Sequence, residues 1–223
     1  MKIAIITHAD KNVKEMKSIS HPLIEQYADD CGADYINMIQ DCEMPHAYRI
    51  LQLREYLNIY DRVLNLDSDV IINKNCPNIF DEVPFEKIGT IFEDKGTRAG
   101  DRHNRIKKAK QKFGVISWET GYINTGIFLV SNIHKEIFQP INGELWMDLG
   151  YDDVHLGYQI RKHNFDIHEL DFKWNFMTMH VESWNKCADR FNSYILHYAG
   201  RGTYNSNNRV DQMRKDYNKI YGE

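Results

Sequence analysis

Cysteine is scarce in this chain: there are four in 223 residues, at positions 31, 42, 76 and 187. They form no C-x-x-C pair and no dense framework, which excludes a disulfide-stapled scaffold and suits reduced thiols. Positive charge is not in excess either. The 28 Lys and Arg against 32 Asp and Glu leave a net charge of −4, which argues against a general nucleic-acid binder. Long apolar runs are missing as well. The opening Lys2-Ile-Ala-Ile-Ile-Thr7 is too short for a signal-peptide core, and nothing approaches a membrane span. Internal repeats and low-complexity stretches are absent. A soluble, cytoplasmic, single-domain protein over residues 1–223 is the expectation, long enough for a sizeable core.

What is present is an alternation of short apolar runs and helical periodicity. Ile3 to Thr7 reads as a buried strand, and Val13, Met16, Ile19, Leu23, Ile24 and Tyr27 recur at helical spacing until Cys31-Gly32, with Pro22 expected to kink the helix. Strands are predicted over 34–39, 63–66, 88–92, 124–130, 167–172 and 194–198. Helices are predicted over 47–58, 151–163 and 210–221. This order implies an α/β fold, a largely parallel sheet with helices on both faces. Between Lys95 and Lys112, Arg98, Arg102, Arg105, Lys107, Lys108, Lys110 and Lys112 crowd together; a solvated helix or loop is the favoured reading, ahead of a basic flap over an anionic ligand.

The most informative segment is Arg62-Val-Leu-Asn-Leu-Asp67-Ser-Asp69, an apolar strand that ends in two carboxylates. On an extended chain they would point to opposite faces; a turn at Ser68 brings them together. Two adjacent acids repel, and a divalent cation relieves the repulsion. Three further segments stand beside it. Asn124-Thr125-Gly126 opens an apolar strand with room for a close ligand. Asp152-Asp153 begins a helix, where acids either serve the helix terminus or bind a hydroxyl and act as a base. His197, near the end of a strand and followed by Gly200-Arg201-Gly202, suits a metal ligand beside a phosphate-binding turn, with Mn²⁺ or Zn²⁺ fitting an imidazole better than Mg²⁺ does.

Taken together, these residues resemble the GT-A glycosyltransferases, specifically the retaining group that includes glycogenin and bacterial lipooligosaccharide galactosyltransferases. The resemblance is carried by Tyr60-Asp-Arg-Val-Leu-Asn-Leu-Asp67-Ser-Asp69, Ile123-Asn124-Thr125-Gly126-Ile-Phe-Leu-Val130, Asp152-Asp153-Val-His-Leu156, Lys173-Trp174-Asn175 and His197-Tyr-Ala-Gly200, in the family's order. It implies a Rossmann-like, mixed but mostly parallel sheet, with a nucleotide-binding half over 1–72 and a sugar and acceptor half over 73–223. It implies transfer of a hexose from a nucleotide diphosphate sugar, a UDP-sugar, to a hydroxyl of a glycan, glycoprotein or small-molecule acceptor, with retention. Asp67, Asp69 and His197 would hold Mn²⁺, with Mg²⁺ as the alternative. Thr7, His8, Asp10, Arg49, Asp67, Ser68, Asn124, Thr125, Gly126, Gly200 and Arg201 would bind the donor. Asp152 would hold the sugar, and Asp153 would act at the reacting centre. The chain departs from the family in having Asp153 where the family has glutamine, and in lacking its lysine-proline-tryptophan, for which Arg201 would substitute.

Two other readings stand. The strand ending in D-x-D also resembles the haloacid-dehalogenase phosphatase signature, in which the first aspartate is a nucleophile. That signature has threonine or valine where this chain has Ile71 and needs a downstream lysine and paired acids. The third reading is a nucleotide-sugar binding module without turnover.

Overall fold

The structure, a computed structural model, describes residues 1–9, 11–38, 45–178, 189–200 and 209–222. Strand β1 (Ile3–His8) leads into helix α1 (Lys14–Cys31) and strand β2 (Asp34–Met38). A 3-10 segment (His46–Gln52) and the short α2 (Leu53–Tyr56) precede β3 (Arg62–Leu66) and β4 (Val70–Ile72). Then come α3 (Ile79–Glu82), β5 (Ile88–Thr90), α4 (Ala99–Phe113), β6 (Ile127–Ser131) and α5 (Tyr151–Lys162). β7 (Ile167–Glu169), β8 (Phe176–Met177), β9 (Ile195–His197) and α6 (Arg209–Tyr221) complete the described chain.

The main sheet has the order β2-β1-β3-β6-β5-β7; β6 alone runs against its neighbours. Its strands are apolar on both faces, and the packing explains why. Ile5, Leu64 and Leu129 point into one core, while Ala4, Ile6, Val63, Phe128 and Val130 point into the other. A sheet covered on both sides favours continuous apolar runs over alternation. At the end of β3 the chain turns at Ser68–Asp69 and enters a second, three-stranded sheet, β4-β9-β8. Met16, Ile71, Leu196, Tyr198 and Met213 pack α1 and α6 onto that small sheet.

Several expectations shift. The predicted 47–58 helix is divided: residues 47–52 are 3-10 and Leu53–Tyr56 is α-helical, and the buried pairs Tyr48/Leu51 and Ile50/Leu53 stand three apart, a spacing that fits either helix. Helix α1 runs unbroken through Pro22; both Pro22 and Ser18, whose carbonyl loses its partner, are exposed to water. The 95–112 segment is largely α4, and its Lys107 and Lys108 are solvated as expected, but Arg102 is buried. Among the described residues Cys31 and Cys76 are free, and no helix is long and apolar enough to cross a membrane.

Candidate metal centre

The turn after β3 does what the sequence requires of it. The Asp67 amide donates to the Gly126 carbonyl at 2.9 Å, and the Tyr198 amide donates to the Asp69 carbonyl at 2.8 Å, so both acids are pinned by neighbouring strands. Ser68 fixes the turn from behind: its buried hydroxyl donates to the His8 carbonyl and lies 3.0 Å from His21 Nε2. The Ser20 hydroxyl donates to the Ser68 carbonyl at 2.7 Å.

The antiparallel pairing of β4 with β9 sets Val70 opposite His197, which delivers the imidazole to the turn. His197 Nε2 lies 3.3 Å from Asp69 Oδ1 and 3.6 Å from Asp67 Oδ2. One ligand atom from each of Asp67, Asp69 and His197 falls within 4.8 Å of the others. Without a cation between them, burial alone would lower the His197 pKa, but the Asp69 and Asp67 carboxylates outweigh it and raise it to about 10. Burial would raise Asp69, yet the charges of His197 and Arg209 hold it below the usual carboxylate range.

These three side chains could hold a metal ion. Two hard carboxylates and one imidazole suit Mn²⁺ better than Mg²⁺, which favours an all-oxygen shell. Gly126 supports the fit: a Cβ there would fall on His197 Cε1 and within 2.9 Å of Asp67 Oδ2, so the backbone is bare where the trio converges.

Beside the trio opens a cleft of about 250 Å³, lined by His8, Arg49, Asn65, Asp67, Ser68, Asp69, Asp152 and Arg209, among others. The acids at the start of α5 take different positions. Asp152 lines the cleft, while Asp153 turns back and accepts from the Thr125 amide at 2.9 Å. The Thr125 hydroxyl lies 2.8 Å from Asp152 and 2.9 Å from Asp153. One hydroxyl proton serves one acceptor, so the second contact needs a proton on a carboxyl group. Desolvation, then the charge of Asp67, raises Asp152 to about 7; desolvation, then Asp152 and Glu93, raises Asp153 well above its usual range.

The remaining sequence candidates divide. Thr7 is wholly buried, 3.3 Å from the Ser68 hydroxyl, and does not line the cleft. His8 lines it and lies 3.2 Å from Asn65 Oδ1. Arg49 lines it too, from the 3-10 segment. Gly200 takes a left-handed turn (φ 79°), while Asp10 and Arg201 lie outside the described residues. Two residues escape sequence reasoning. Arg209, at the start of α6, reaches the cleft and meets Asp69 Oδ2 at 2.7 Å. Glu93, buried just past β5, accepts from Asn124 Nδ2 at 2.7 Å and from Arg102 Nε at 2.8 Å. A lone acid after a strand carried no signal; the arginines of the basic segment were its only trace.

No family profile and no curated protein sequence matches the chain. Solved structures do. A glycosyltransferase involved in glycosylating the major capsid of the virus PBCV-1 superposes with a TM-score of 0.62 at 17% identity, covering 96% of this chain and 100% of that one. The galactosyltransferase LgtC, solved with donor and acceptor sugar analogs, gives 0.59 at 16% identity, over 98% and 96% of the two chains. The fold is GT-A. A Drosophila galactosyltransferase 7 variant, solved with manganese, UDP-Gal and xylobiose, gives 0.50 at 13% identity over 96% of this chain and 79% of that one. The GT-A sheet here is the mixed, mostly parallel one expected, and the trio sits at the exit of its third strand in chain order.

Proposed function

We propose that the protein is a metal-dependent glycosyltransferase that moves a hexose from a nucleotide diphosphate sugar, a UDP-sugar, to an acceptor hydroxyl with retention. The observation that carries this reading is the convergence of Asp67, Asp69 and His197 at the rim of a cleft that also holds Arg49, Asp152 and Arg209. A bound Mn²⁺ would act as a Lewis acid, neutralising charge on the departing diphosphate.

The chain's own residues supply the rest. Arg49 and Arg209 line the cleft and would contact an anionic donor. Asp152, which lines the same cleft as the D-x-D turn, is the acceptor for a sugar hydroxyl, and Thr125 fixes its orientation. Asp153, tied to the Thr125 amide and hydroxyl, holds the backbone that orients Asp152 near the reacting carbon. The acceptor is a hydroxyl of a glycan, glycoprotein or small molecule.

The phosphatase reading needs the first aspartate free to attack phosphorus. Asp67 instead faces the His197 imidazole, and Asp69 faces both His197 and Arg209, which favours the transferase.

The test compares UDP-sugar turnover with and without Mn²⁺ in the wild type and in Asp69→Asn. Loss of transition-state stabilisation of this kind is on the order of 3–4 kcal/mol, so the variant is expected to lose about 10²–10³-fold in kcat while remaining folded. Full activity in the variant overturns the metal's role. Proton NMR of the first product reads the anomer, and the inverted anomer overturns retention.

A further inference from the structure

Behind the metal centre, four buried polar side chains form a chain that leads away from the cleft. His197 Nδ1 lies 2.9 Å from Asn175 Oδ1, Asn175 Nδ2 lies 2.8 Å from Asn124 Oδ1, and Asn124 Nδ2 lies 2.7 Å from Glu93 Oε1. All four residues are at most 7% exposed. The other Glu93 oxygen is held by Arg98 Nη2 at 2.8 Å and by Arg102 Nε at 2.8 Å.

This chain has one permitted direction. A carboxylate beside two guanidinium groups only accepts, so the Asn124 amide must turn its nitrogen to Glu93 and its oxygen toward Asn175. The Gly126 amide, which can only donate, meets that same Asn124 oxygen at 3.1 Å and fixes the assignment independently. Asn175 must then give its nitrogen to Asn124 and its oxygen to His197. The imidazole is left with its proton on Nδ1, and Nε2 faces Asp67 and Asp69. A metal-binding histidine needs that arrangement, and its partner on the far nitrogen sets it.

We propose that Glu93 is a positioning residue for the metal centre: acting through Asn124 and Asn175, it dictates which nitrogen of His197 is offered to the cation. The inference rests on the reading of Asp67, Asp69 and His197 as a metal site, and it assigns a role to α4, whose Arg102 holds Glu93 in place. It also gives the Asn124 amide a structural duty besides any contact with a sugar.

The direction of the chain makes the test specific. In Glu93→Gln the two arginines still demand an acceptor, so the new amide must turn its nitrogen toward Asn124. A flip of Asn124 to meet it forfeits the Gly126 hydrogen bond, but it is the flip that propagates: Asn175 turns in response, and His197 is left accepting at Nδ1 with its proton on Nε2, aimed at the metal position. Mn²⁺ affinity, read by calorimetry without any sugar donor, is expected to fall about 10- to 100-fold. Asn175→Asp alone keeps an acceptor on His197 Nδ1 but sets a carboxylate against the Asn124 oxygen, a clash that weakens binding less than Glu93→Gln does. Combined with Glu93→Gln, however, that carboxylate accepts from both the flipped Asn124 and His197 Nδ1. The double variant is therefore expected to bind Mn²⁺ more tightly than either single variant.

A purely structural role for Glu93 makes the two losses add and overturns the proposal, as does a wild-type affinity in Glu93→Gln. Should Glu93→Gln fail to fold, Asn175→Leu, which removes the acceptor on His197 Nδ1 and leaves the arginine cluster untouched, decides alone: wild-type affinity there overturns the relay. His197→Ala is the control that separates the two layers. If wild type and His197→Ala bind Mn²⁺ equally, the metal site itself is wrong; if only the relay variants behave as wild type, the site stands and the relay falls.

Discussion

The Arg209 guanidinium lies 2.7 Å from Asp69 Oδ2, on the same carboxylate whose other oxygen faces His197 at 3.3 Å. Asp69 thus has cationic partners on both sides. An ion arriving between the carboxylates competes with Arg209 for one of its ligands. Arg209→Gln is expected to tighten Mn²⁺ binding in the absence of nucleotide by roughly 3- to 10-fold, since a partly exposed pair is worth about 1 kcal/mol. The same variant is expected to weaken UDP binding, because the cleft loses a cation. Calorimetric titration with Mn²⁺, then UDP, reads both signs; weaker Mn²⁺ binding would show that Arg209 does not compete.

Gly126 is the backbone position that touches the trio. A methyl group there would overlap His197 Cε1 and press on Asp67 and the Asn124 oxygen. Gly126→Ala is expected to destabilise the fold by about 1–3 kcal/mol through overpacking, and to weaken Mn²⁺ binding at least 10-fold. Urea unfolding and calorimetry measure the two effects separately. An alanine variant that binds normally would mean that the trio is not crowded as described.

His21 is a buried, neutral histidine behind the D-x-D turn, between the Tyr35 hydroxyl at 2.7 Å and the Ser68 hydroxyl at 3.0 Å. Burial, with the charge of Lys17, lowers its pKa to about 4 from the usual 6.5. Between those values the unfolded chain binds the extra proton and the folded chain does not, so this contribution is complete above pH 6.5 and is lost as pH falls toward 4. Asp152, raised by its surroundings, works in the opposite sense over the same range. The difference between wild type and His21→Gln isolates the histidine. That difference is expected to move by about 2–3 kcal/mol against the wild type between pH 7 and pH 4.5 in urea unfolding. A pH-independent difference would mean that His21 is not held neutral.

Arg62, at the start of β3, is 2% exposed and donates to the Phe80 carbonyl at 2.7 Å and the Val83 carbonyl at 2.8 Å. Arg62→Met fills the space but leaves two buried carbonyls without donors. The expected loss is about 2–4 kcal/mol in urea unfolding, with Mn²⁺ affinity unchanged because the residue lies at the far end of the strand from Asp67. A neutral substitution would show that water reaches those carbonyls.

The parts of this molecule legible in the sequence are those encoded over a few consecutive residues. The apolar run ending at Asp67 and Asp69, the helix after Asp152 and the strand carrying His197 each announce themselves locally, and the structure brings the first and last together. What stayed hidden depends on which strands pair. The three-stranded sheet that sets His197 opposite Val70 also needs β4 and β8, strands of three and two residues, too short for periodicity to register. Glu93 and Arg209 are unremarkable by neighbourhood; each acquires meaning only from a partner far along the chain. Arg102 looks like one more solvated cation until Glu93 is set against it.

Strand β3 belongs to the large sheet and β4 to the small one, and only the turn at Ser68–Asp69 separates them. Asp67 therefore travels with one sheet, and Asp69 and His197 travel with the other. A ligand gripping all three would act as a rivet across the seam, adding a direct tie between two layers that already share a core. The geometry of the reacting groups and the rigidity of the whole scaffold would then be set by the same three side chains.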